Sequence, residues 1–378
     1  MIYIYCFLIS ALLVLFIMPF YIKIMLRYKV LDKSGGRKIH KGVKVNIGGL
    51  VIFLAFAVSY IVALPYLAND NYSDSAITFL LILLCIIVFG VRDDMNSLTA
   101  KNKLVLEIIA IIFICRMGIR IDNLYGFLGI YELPLWVSYS ITIFFFVVIL
   151  NTYNLIDGID GQAATQALIV FTPLFLYFFL LGDNQSTNIF HNPNFWAIIS
   201  ICMIGALLSF LYYNWEPSRV FMGDTGSIYI GTVIACVMIS AINFNGQSIN
   251  NTNLFGFEVK SKIGVVVSLF YIPLADTLRV FIARILKKKS PFTPDKSHIH
   301  HFLLRTGASH KVSTLTTLTF SIITSTIGLS LSVVFTDNVF VPLLIFMFLL
   351  YVLSVSYIAK RRLKLMKKKR ICQTNLTQ

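Results

Sequence analysis

The chain has 378 residues, of which 57% are hydrophobic and only 13% are charged, with a mean hydropathy of +0.81. Soluble proteins carry about 25% charged residues, so this composition excludes an ordinary soluble enzyme. The longest polar stretches run to about 25 residues, too few to bury a core of their own. We therefore predict an all-α polytopic membrane protein with a single membrane-embedded domain over residues 1–378 and a basic tail at 360–378.

Eleven apolar runs approach the ~20 residues that a membrane helix requires. They are Ile2–Leu26, Ile47–Leu67, Ala76–Val91, Leu104–Met117, Leu133–Leu150, Ala163–Leu181, Phe195–Tyr213, Ile228–Ile242, Ile263–Ile285, Val312–Phe335 and Phe340–Ala359. Leu104–Met117 is the shortest of them. The first run has no basic region before it and no Ala-x-Ala-like cleavage site, which predicts a retained helix rather than a signal peptide.

The distribution of positive charge predicts the orientation. When successive loops are assigned to alternate sides, 26 of the 32 Lys and Arg residues fall on one side and 3 on the other. Because basic loops stay in the cytoplasm, we expect an outside N-terminus and a cytoplasmic C-terminus. The net charge of +15 then reflects topology and the anionic lipid surface, and we expect no nucleic-acid partner.

The second predicted cytoplasmic loop contains two adjacent carboxylates, Asp93 and Asp94. Their mutual repulsion favours a nearby cation. The alternative is that Asp94 caps the next helix.

The third predicted cytoplasmic loop, Asn151–Gly161, contains two carboxamides and two carboxylates but no basic residue. Asp157 and Asp160 are three residues apart, so a helical turn would place them on one face. Polar groups this dense at a membrane helix end indicate a binding site. A simple turn joining two helices is the alternative.

The fourth predicted cytoplasmic loop ends in Phe221-Met-Gly-Asp-Thr-Gly-Ser227, directly before an apolar run. Backbone N–H groups at a helix N-terminus favour an anion. Asp224 would serve as a metal ligand beside that anion, and Phe221 offers a ring for base stacking. The alternative is that Asp224, Thr225 or Ser227 only caps the helix.

The fifth predicted cytoplasmic loop groups His298, His300 and His301 with many cations, which favours phosphate contact over zinc binding. Within the ninth run, Asp276 and Arg279 are three residues apart and are predicted to compensate each other's charge inside the bundle. The six cysteines lack metal-ligand spacing, so we expect small core hydrophobes and neither a disulfide framework nor a zinc site.

Carboxylates, a carboxamide, a helix N-terminus and clustered cations on one side of a membrane suit Mg²⁺-assisted phosphoryl transfer to a membrane-resident acceptor. Two other classes are open. An ion-coupled secondary transporter would place its acids near the bilayer midplane and often contains internal repeats. A non-catalytic scaffold would not require four polar clusters on one side.

Taken together, these motifs resemble those of the polyprenyl-phosphate N-acetylhexosamine-1-phosphate transferases, a family that includes bacterial undecaprenyl-phosphate sugar-phosphate transferases. The motifs are Asp93-Asp94, Asn151-x-x-Asn154-Leu-Ile-Asp157-Gly-Ile-Asp160-Gly161, Phe221-Met-Gly-Asp-Thr-Gly-Ser227 and His298-Ile-His-His301. The resemblance covers nearly the whole chain. It is closer to the branch that starts O-antigen, common-antigen or teichoic-acid linkage units than to the muramyl-pentapeptide branch, which carries three consecutive histidines.

The resemblance implies transfer of N-acetylhexosamine 1-phosphate, with GlcNAc as the leading sugar, from the UDP-sugar to undecaprenyl phosphate. The products would be undecaprenyl-diphosphate-sugar and UMP, in the first membrane step of cell-surface polysaccharide synthesis. It further implies a bacterial cytoplasmic (inner) membrane location, an active site on the cytoplasmic face, and Mg²⁺ as cofactor, with Mn²⁺ able to substitute. The oligomeric state, including a homodimer, is left open.

The same resemblance implies a role for each matching residue. The catalytic residues would be Asp93, Asp94, Asp157, Asp160 and Asp224. Asn154 and Asp224 would be the Mg²⁺ ligands. The substrate-binding residues would be Lys103, Asn151, Phe221, Gly223, His298, His300 and His301, with Phe221 stacked on uracil. A lipid phosphate is already largely ionised at neutral pH, given a second pKa near ~6, so Asp93 is expected to position it more than to act as an obligatory base.

The first predicted cytoplasmic loop departs from the family pattern His-x-x-Pro-x-Pro-x-x-Gly-Gly. Val43 and Val45 stand in place of the two prolines, and Asn46 stands where a basic residue is common. We therefore expect a more mobile loop and leave open the sugar or lipid roles of His40 and Lys44.

Overall fold

The structure is a computed structural model that describes residues 1–28, 45–67, 73–182, 188–246, 253–254, 257–288, 298–305 and 307–354. His40, Val43, Lys44 and the basic tail lie outside these ranges. The described part is predominantly helical, which confirms the predicted all-α polytopic membrane class.

The helices are numbered in chain order. Those of the first half are α1 (Ile2–Arg27), α2 (Gly49–Leu67), α3 (Ser73–Met95), α4 (Ala100–Arg116), α5 (Leu135–Ile156) and α6 (Gln162–Leu181). Those of the second half are α7 (Pro193–Asn214), α8 (Gly223–Gly246), α9 (Lys262–Leu269), α10 (Tyr271–Leu286), α11 (Ile299–Arg305), α12 (His310–Val334) and α13 (Asp337–Ser354).

Each of the eleven predicted apolar runs contains helix, but two of them differ from a simple span. Within the described ranges, nine helices are long and apolar enough to cross a membrane, or up to ten if α9 and α10 count as one broken span. The remaining run, Leu104–Met117, corresponds to α4, which has 17 residues, fewer than the ~20 that crossing a bilayer requires.

The predicted continuous span Ile263–Ile285 is wrong, because α9 and α10 meet at an angle of 79°. Pro273 explains the break, since it has no N–H to offer the carbonyl of Leu269 four residues earlier and its ring would clash with that carbonyl. The side chain of Gln166 in α6 supplies the missing donor, with Nε2 3.2 Å from the Leu269 oxygen. A neighbouring helix therefore stabilises the break inside the bundle.

Two short antiparallel hairpins, which the sequence did not predict, lie between helices. β1 (Asn123–Phe127) pairs with β2 (Ile130–Glu132), and β3 (Asn253–Leu254) pairs with β4 (Phe257–Glu258). Leu128 and Gly129 join β1 to β2 with φ values of 55° and 77°. Two successive positive φ angles are the signature of a tight hairpin turn, and strands this short leave little alternating pattern to detect.

Helix α8 is the centre of the bundle, because 94% of its membrane-spanning residues are buried. Its first turn packs closely against glycines of α2 and α3. A Cβ atom on Gly49 of α2 would lie 2.1 Å from Cα of Gly226, and one on Gly90 of α3 would lie 2.5 Å from Cα of Thr225. Only glycine permits backbones to approach this closely. The end of the bundle at which α3 and α5 finish and α2 and α8 begin is called the acidic end below.

At the opposite end of the bundle, Asp337, the first residue of α13, caps the N-terminus of α9. Asp337 is buried and accepts hydrogen bonds from Oγ of Ser261 and from the backbone N–H groups of Lys262, Ile263 and Gly264. These N–H groups begin α9 and have no partner within the helix, so a carboxylate from another helix caps them.

Asp337→Asn is expected to destabilise the fold, because the amide nitrogen would face a backbone donor in place of an acceptor. Loss of such a buried, charge-assisted cap costs about 1–3 kcal/mol. Thermal unfolding of the purified protein in detergent should show a lower midpoint than wild type, and an unchanged midpoint would contradict the capping role.

Candidate active site

The acidic end is organised by the carboxylate of Asp94, at the end of α3, which caps α8. Oδ1 accepts from the backbone N–H of Asp224 at 3.0 Å, and Oδ2 accepts from the N–H and hydroxyl of Thr225 at 2.9 and 2.6 Å. Oδ1 also accepts from Nδ2 of Asn46 at 3.2 Å. The alternative that Asp94 caps the next helix, α4, is therefore wrong, because Asp94 caps α8 and Thr99 caps α4.

Asp93, the neighbouring carboxylate, points to a different partner. Its Oδ2 lies 3.0 Å from Nζ of Lys103, and the same Nζ lies 2.9 Å from Oδ2 of Asp224. Oδ1 of Asp93 accepts from the N–H of Leu98 at 2.7 Å, which fixes the carboxylate against the α3–α4 loop. One ammonium thus joins two acids that are 131 positions apart in sequence.

Lys103 precedes the apolar part of α4 and remains charged in this setting. Burial opposes its positive charge, but the carboxylates of Asp224 and Asp93 outweigh that effect and raise the pKa of Lys103. The sequence assigned Lys103 to substrate binding, and the structure places it between the two predicted catalytic acids.

Asn154 completes this cluster from α5. Its Nδ2 donates to Oδ1 of Asp224 at 2.7 Å and to Oγ of Ser227 at 2.7 Å. Asn151 and Asn154 were predicted to lie in a loop, but α5 continues to Ile156, so both residues are helical. Asn151 bonds within its own helix, with Nδ2 2.8 Å from the carbonyl oxygen of Val147.

Gly223, a predicted substrate-binding residue, is where the chain turns into α8. Its φ is +76°, and a Cβ atom there would lie 2.7 Å from Oδ2 of Asp94 and 2.8 Å from Oδ1 of Asn46. A side chain at this position would therefore disturb the Asp94 cap. Asn46, the residue that departs from the family pattern, is part of the same network, which the sequence did not reveal.

Phe221 is fixed through its backbone. Its N–H donates to the carbonyl of Val45 at 2.8 Å, and its carbonyl accepts from the N–H of Gly48 at 2.9 Å. Val45 also pairs with Val220 in an isolated β-bridge. The segment before α2 therefore holds Phe221 beside the start of α8. The ring is half-buried, and its role in uracil stacking stays a prediction.

Asp157 and Asp160 occupy different environments at the end of α5. Asp157 caps the helix C-terminus, three residues after Asn154, and is half-buried. Asp160 is buried, with Oδ2 3.3 Å from the N–H of Ser218 and Oδ1 3.7 Å from Nδ1 of His310. Asp160 thus links the α5–α6 turn to α12 instead of joining Lys103 and Asp224.

The predicted phosphate-binding histidines differ in exposure. His298 is 3% exposed and its Nδ1 lies 2.9 Å from Oδ2 of Asp276, whose Oδ1 lies 2.6 Å from a terminal nitrogen of Arg279. The predicted Asp276–Arg279 pair is therefore confirmed. His301 is half-buried on α11, and the side chain of His300 lies outside the described part of the chain.

A narrow apolar cavity of about 20 Å³ lies between α3, α4, α5 and α8, with Asp93 and Lys103 at its polar end. Its wall includes the aliphatic or aromatic side chains of Phe89, Leu106, Ile111, Leu150 and Ile228. Glu107 also lines it and was not among the predicted site residues. Its position four residues after Lys103 on a helix was the available signal.

The donor groups of the cluster fit a hard divalent cation that shares a phosphate. Within the described ranges, no three His, Cys, Asp or Glu side chains are grouped to hold a metal by themselves. Mg²⁺ commonly takes only one or two protein carboxylates and completes its shell with water and substrate phosphates. Asp93 and Asp224 already converge on one cation, Lys103. Asn154 contacts Asp224 and Ser227 through Nδ2, so its amide oxygen would face an ion beside Asp224 only after rotation of the side chain.

Comparison with known proteins bears on this arrangement. Residues 76–242 match the family described as Glycosyl transferase family 4. The chain is 30% identical over 354 residues to a probable undecaprenyl-phosphate N-acetylglucosaminyl 1-phosphate transferase of Bacillus subtilis, covering 89% of this chain and 90% of that protein. It is 31% identical to a decaprenyl-phosphate N-acetylglucosaminephosphotransferase of Mycobacterium leprae, covering 73% and 70%. A Yersinia pestis undecaprenyl-phosphate alpha-N-acetylglucosaminyl 1-phosphate transferase is 24% identical, covering 90% and 86%.

The two adjacent acids are expected to respond differently to the same substitution. Asp94→Asn would place an amide nitrogen against fixed backbone donors of α8. In Asp93→Asn the remaining oxygen can keep the N–H of Leu98, and the amide nitrogen faces the flexible side chain of Lys103, which can move. We therefore expect Asp94→Asn to lower the free energy of unfolding by about 1–3 kcal/mol and Asp93→Asn to lower it less. Thermal unfolding of both variants in detergent provides the comparison, and an equal or reversed order would contradict the assignment.

Proposed function

Because the chain belongs to the family of polyprenyl-phosphate N-acetylglucosaminyl 1-phosphate transferases, we propose that it transfers N-acetylglucosamine 1-phosphate from UDP-GlcNAc to undecaprenyl phosphate. The products are UMP and undecaprenyl-diphosphate-GlcNAc. The observation that carries this proposal is the convergence of Asp93, Lys103 and Asp224 at the polar end of an apolar cavity.

The acceptor is assigned to the cavity side of the cluster. A prenyl chain requires apolar contact within the membrane, and its phosphate requires a cation at the membrane surface. The cavity between α3, α4, α5 and α8 offers apolar walls that end at Lys103 and Asp93. In this proposal Lys103 attracts the lipid phosphate and Asp93 orients Lys103, so that a phosphate oxygen faces the donor side of the cluster.

The reaction is an attack of a lipid phosphate oxygen on the β-phosphorus of UDP-GlcNAc. The bond from that phosphorus to the bridging oxygen breaks, and UMP leaves with the bridging oxygen. Little proton transfer is required, because the lipid phosphate is largely ionised at neutral pH. The protein's contribution is therefore positioning and charge neutralisation, which carry most of the catalysis in phosphoryl transfer.

The donor is assigned to the side of the cluster formed by the end of α5, the start of α8 and α11. Phe221 would stack on uracil, Asp157 would line the sugar or nucleotide, and His301 and His300 would approach the diphosphate. Asp160 and His298 are buried against other elements, so we assign them to holding this wall in place.

Mg²⁺ is the proposed cofactor, with Mn²⁺ able to substitute. Asp224 and Asn154 would hold it, the carboxylate directly and Asn154 through its amide oxygen after rotation of the side chain. When bound, the ion would neutralise negative charge on the diphosphate and on the departing UMP. Lys103 would then be released from Asp224 to the phosphates.

The location follows from the charge distribution and from the family. The protein is a multi-pass membrane protein, and we propose the bacterial cytoplasmic membrane with the acidic end facing the cytoplasm, where UDP-sugars are made. A role in starting O-antigen, lipopolysaccharide or cell-wall polymers is part of the same proposal. The transporter alternative is not supported, because the relatives are transferases by name and the acids of the cluster lie at helix ends.

Purified protein supplied with undecaprenyl phosphate, Mg²⁺ and UDP-GlcNAc is expected to release UMP in an amount equal to the lipid-linked product. Matched reactions without lipid, with UDP-GalNAc, and with EDTA test the acceptor, the sugar and the metal separately. EDTA should abolish turnover, and excess Mg²⁺ or Mn²⁺ should restore it. Absence of UMP release with every sugar tested would contradict the transferase assignment, and full activity in EDTA would contradict only the metal.

Asp224→Asn is expected to lower kcat at least ~10²-fold, because it removes charge from the group that faces both Lys103 and the proposed metal. The Asp94 cap binds the backbone of residue 224 and not its side chain, so the fold should persist. Asp122→Asn is the matched control, since Asp122 is also paired with a cation, Arg120, but lies outside the acidic end. Near-normal UMP release by a folded Asp224→Asn protein would overturn the site.

A further inference from the structure

A second carboxylate network is centred on Asp276 in α10, a helix that packs against α5. This side chain is 3% exposed. It accepts from Nδ1 of His298 at 2.9 Å, from the backbone N–H of Ile299 at 3.1 Å, and from the hydroxyl of Tyr351 at 3.3 Å. Two nitrogens of Arg279 complete the set, at 2.6 and 3.2 Å.

Most of the hydrogen-bond donors to Asp276 come from its own helix and from the beginning of α11. Arg279 belongs to the same helix as Asp276, and its guanidinium neutralises the buried charge. His298 and Ile299 mark the beginning of α11, the short helix that carries His300 and His301. The carboxylate therefore determines where α11 begins and how it lies against α10.

His298 takes part as a support and not as a ligand. A carboxylate only accepts, so the short contact with Asp276 places a proton on Nδ1 of His298 and fixes the plane of the ring. The imidazole is nearly inaccessible to solvent at 3% exposure. A ring held in this way can orient the two following histidines but is poorly placed to reach a nucleotide in solution.

Tyr351 extends the network to α13. Its hydroxyl donates to the same Oδ1 atom of Asp276 that binds Arg279. Helix α13 begins at Asp337, which caps α9 at the opposite end of the bundle, and it returns to the acidic end at Tyr351. Helix α13 thus contacts the broken span α9–α10 at the beginning of α9 and at Asp276 within α10.

We propose that Asp276 is a positioning residue for the UDP-sugar diphosphate, acting through His298 to set α11 and its two remaining histidines. The inference rests on the proposed function and adds a residue that does not touch substrate. If α11 contacts only the donor, its displacement weakens the ground state and the transition state equally. Such a loss raises KM and leaves kcat unchanged.

Steady-state kinetics of Asp276→Asn test this assignment, with UDP-GlcNAc and undecaprenyl phosphate varied separately. KM for UDP-GlcNAc is expected to rise about tenfold, which corresponds to ~1.4 kcal/mol of binding. KM for undecaprenyl phosphate and kcat should stay within about threefold of wild type. A general loss of folded enzyme would lower the apparent kcat and leave both KM values unchanged, so the split separates positioning from stability.

A double variant tests the route of the effect. If Asp276 acts through His298, Asp276→Asn combined with His298→Asn should raise KM no further than the larger single change. Additive effects would overturn the route through His298. Asp337→Asn is the matched control, because it removes charge from a buried, multiply bonded carboxylate at the opposite end and should not alter KM for UDP-GlcNAc.

The Asp276→Asn protein could fail to fold, since Arg279 would lose its buried partner. Asp276→Glu then serves as the second variant, because it retains the charge but moves the carboxylate relative to His298. A raised KM for UDP-GlcNAc with retained kcat supports the proposal, and an unchanged KM in folded Asp276→Glu overturns it. Wild-type protein without UMP release would instead refute the proposed function, which makes the two failures distinguishable.

Discussion

The structure depends first on how the buried N-terminus of α8 is satisfied. A helix begins with N–H groups that have no partner within it, and in a membrane protein such groups cannot be left to lipid. Asp94 meets this requirement from α3 with both oxygens, while Gly49 and Gly90 let α2 and α3 approach closely enough for it to do so. Because the cap holds the backbone of residues 224 and 225, the Asp224 side chain is free to face the other way, toward Lys103 and Asn154.

Two adjacent acids thereby acquire separate tasks. In sequence, Asp93 and Asp94 form a repelling pair whose natural partner is a cation. In the structure, Asp94 is stabilised by the dipole of α8 and by hydrogen bonds, whereas Asp93 is paired with Lys103. The pair therefore combines a structural anchor with a group that faces the cavity, and the anchor keeps the cavity-facing group and Asp224 at a fixed separation.

Hydrophobic patterning was sufficient to predict the class and every long helix, because a bilayer imposes one length and one composition on its spans. The family resemblance likewise implied that Asp93, Lys103, Asn154 and Asp224 belong to one site. The features that the sequence did not predict depend on tertiary contacts. The break at Phe270 requires Gln166 of α6 to satisfy the Leu269 carbonyl, and the burial of Asp160 and His298 depends on His310, Ser218 and Asp276. These partners are distant in sequence, and only the fold brings them into contact.

The charges of the acidic end explain why the site would accept a divalent cation together with a diphosphate. The negative charge of Asp94 is offset by the N-terminus of α8, which leaves Asp93 and Asp224 sharing the single charge of Lys103. One negative charge is therefore uncompensated in a partly buried environment, where the cost of an unpaired charge is high. A diphosphate alone would deepen this deficit, because its phosphates are negatively charged. A divalent cation offsets that charge, so the electrostatics favour arrival of the nucleotide sugar with its metal over its arrival alone.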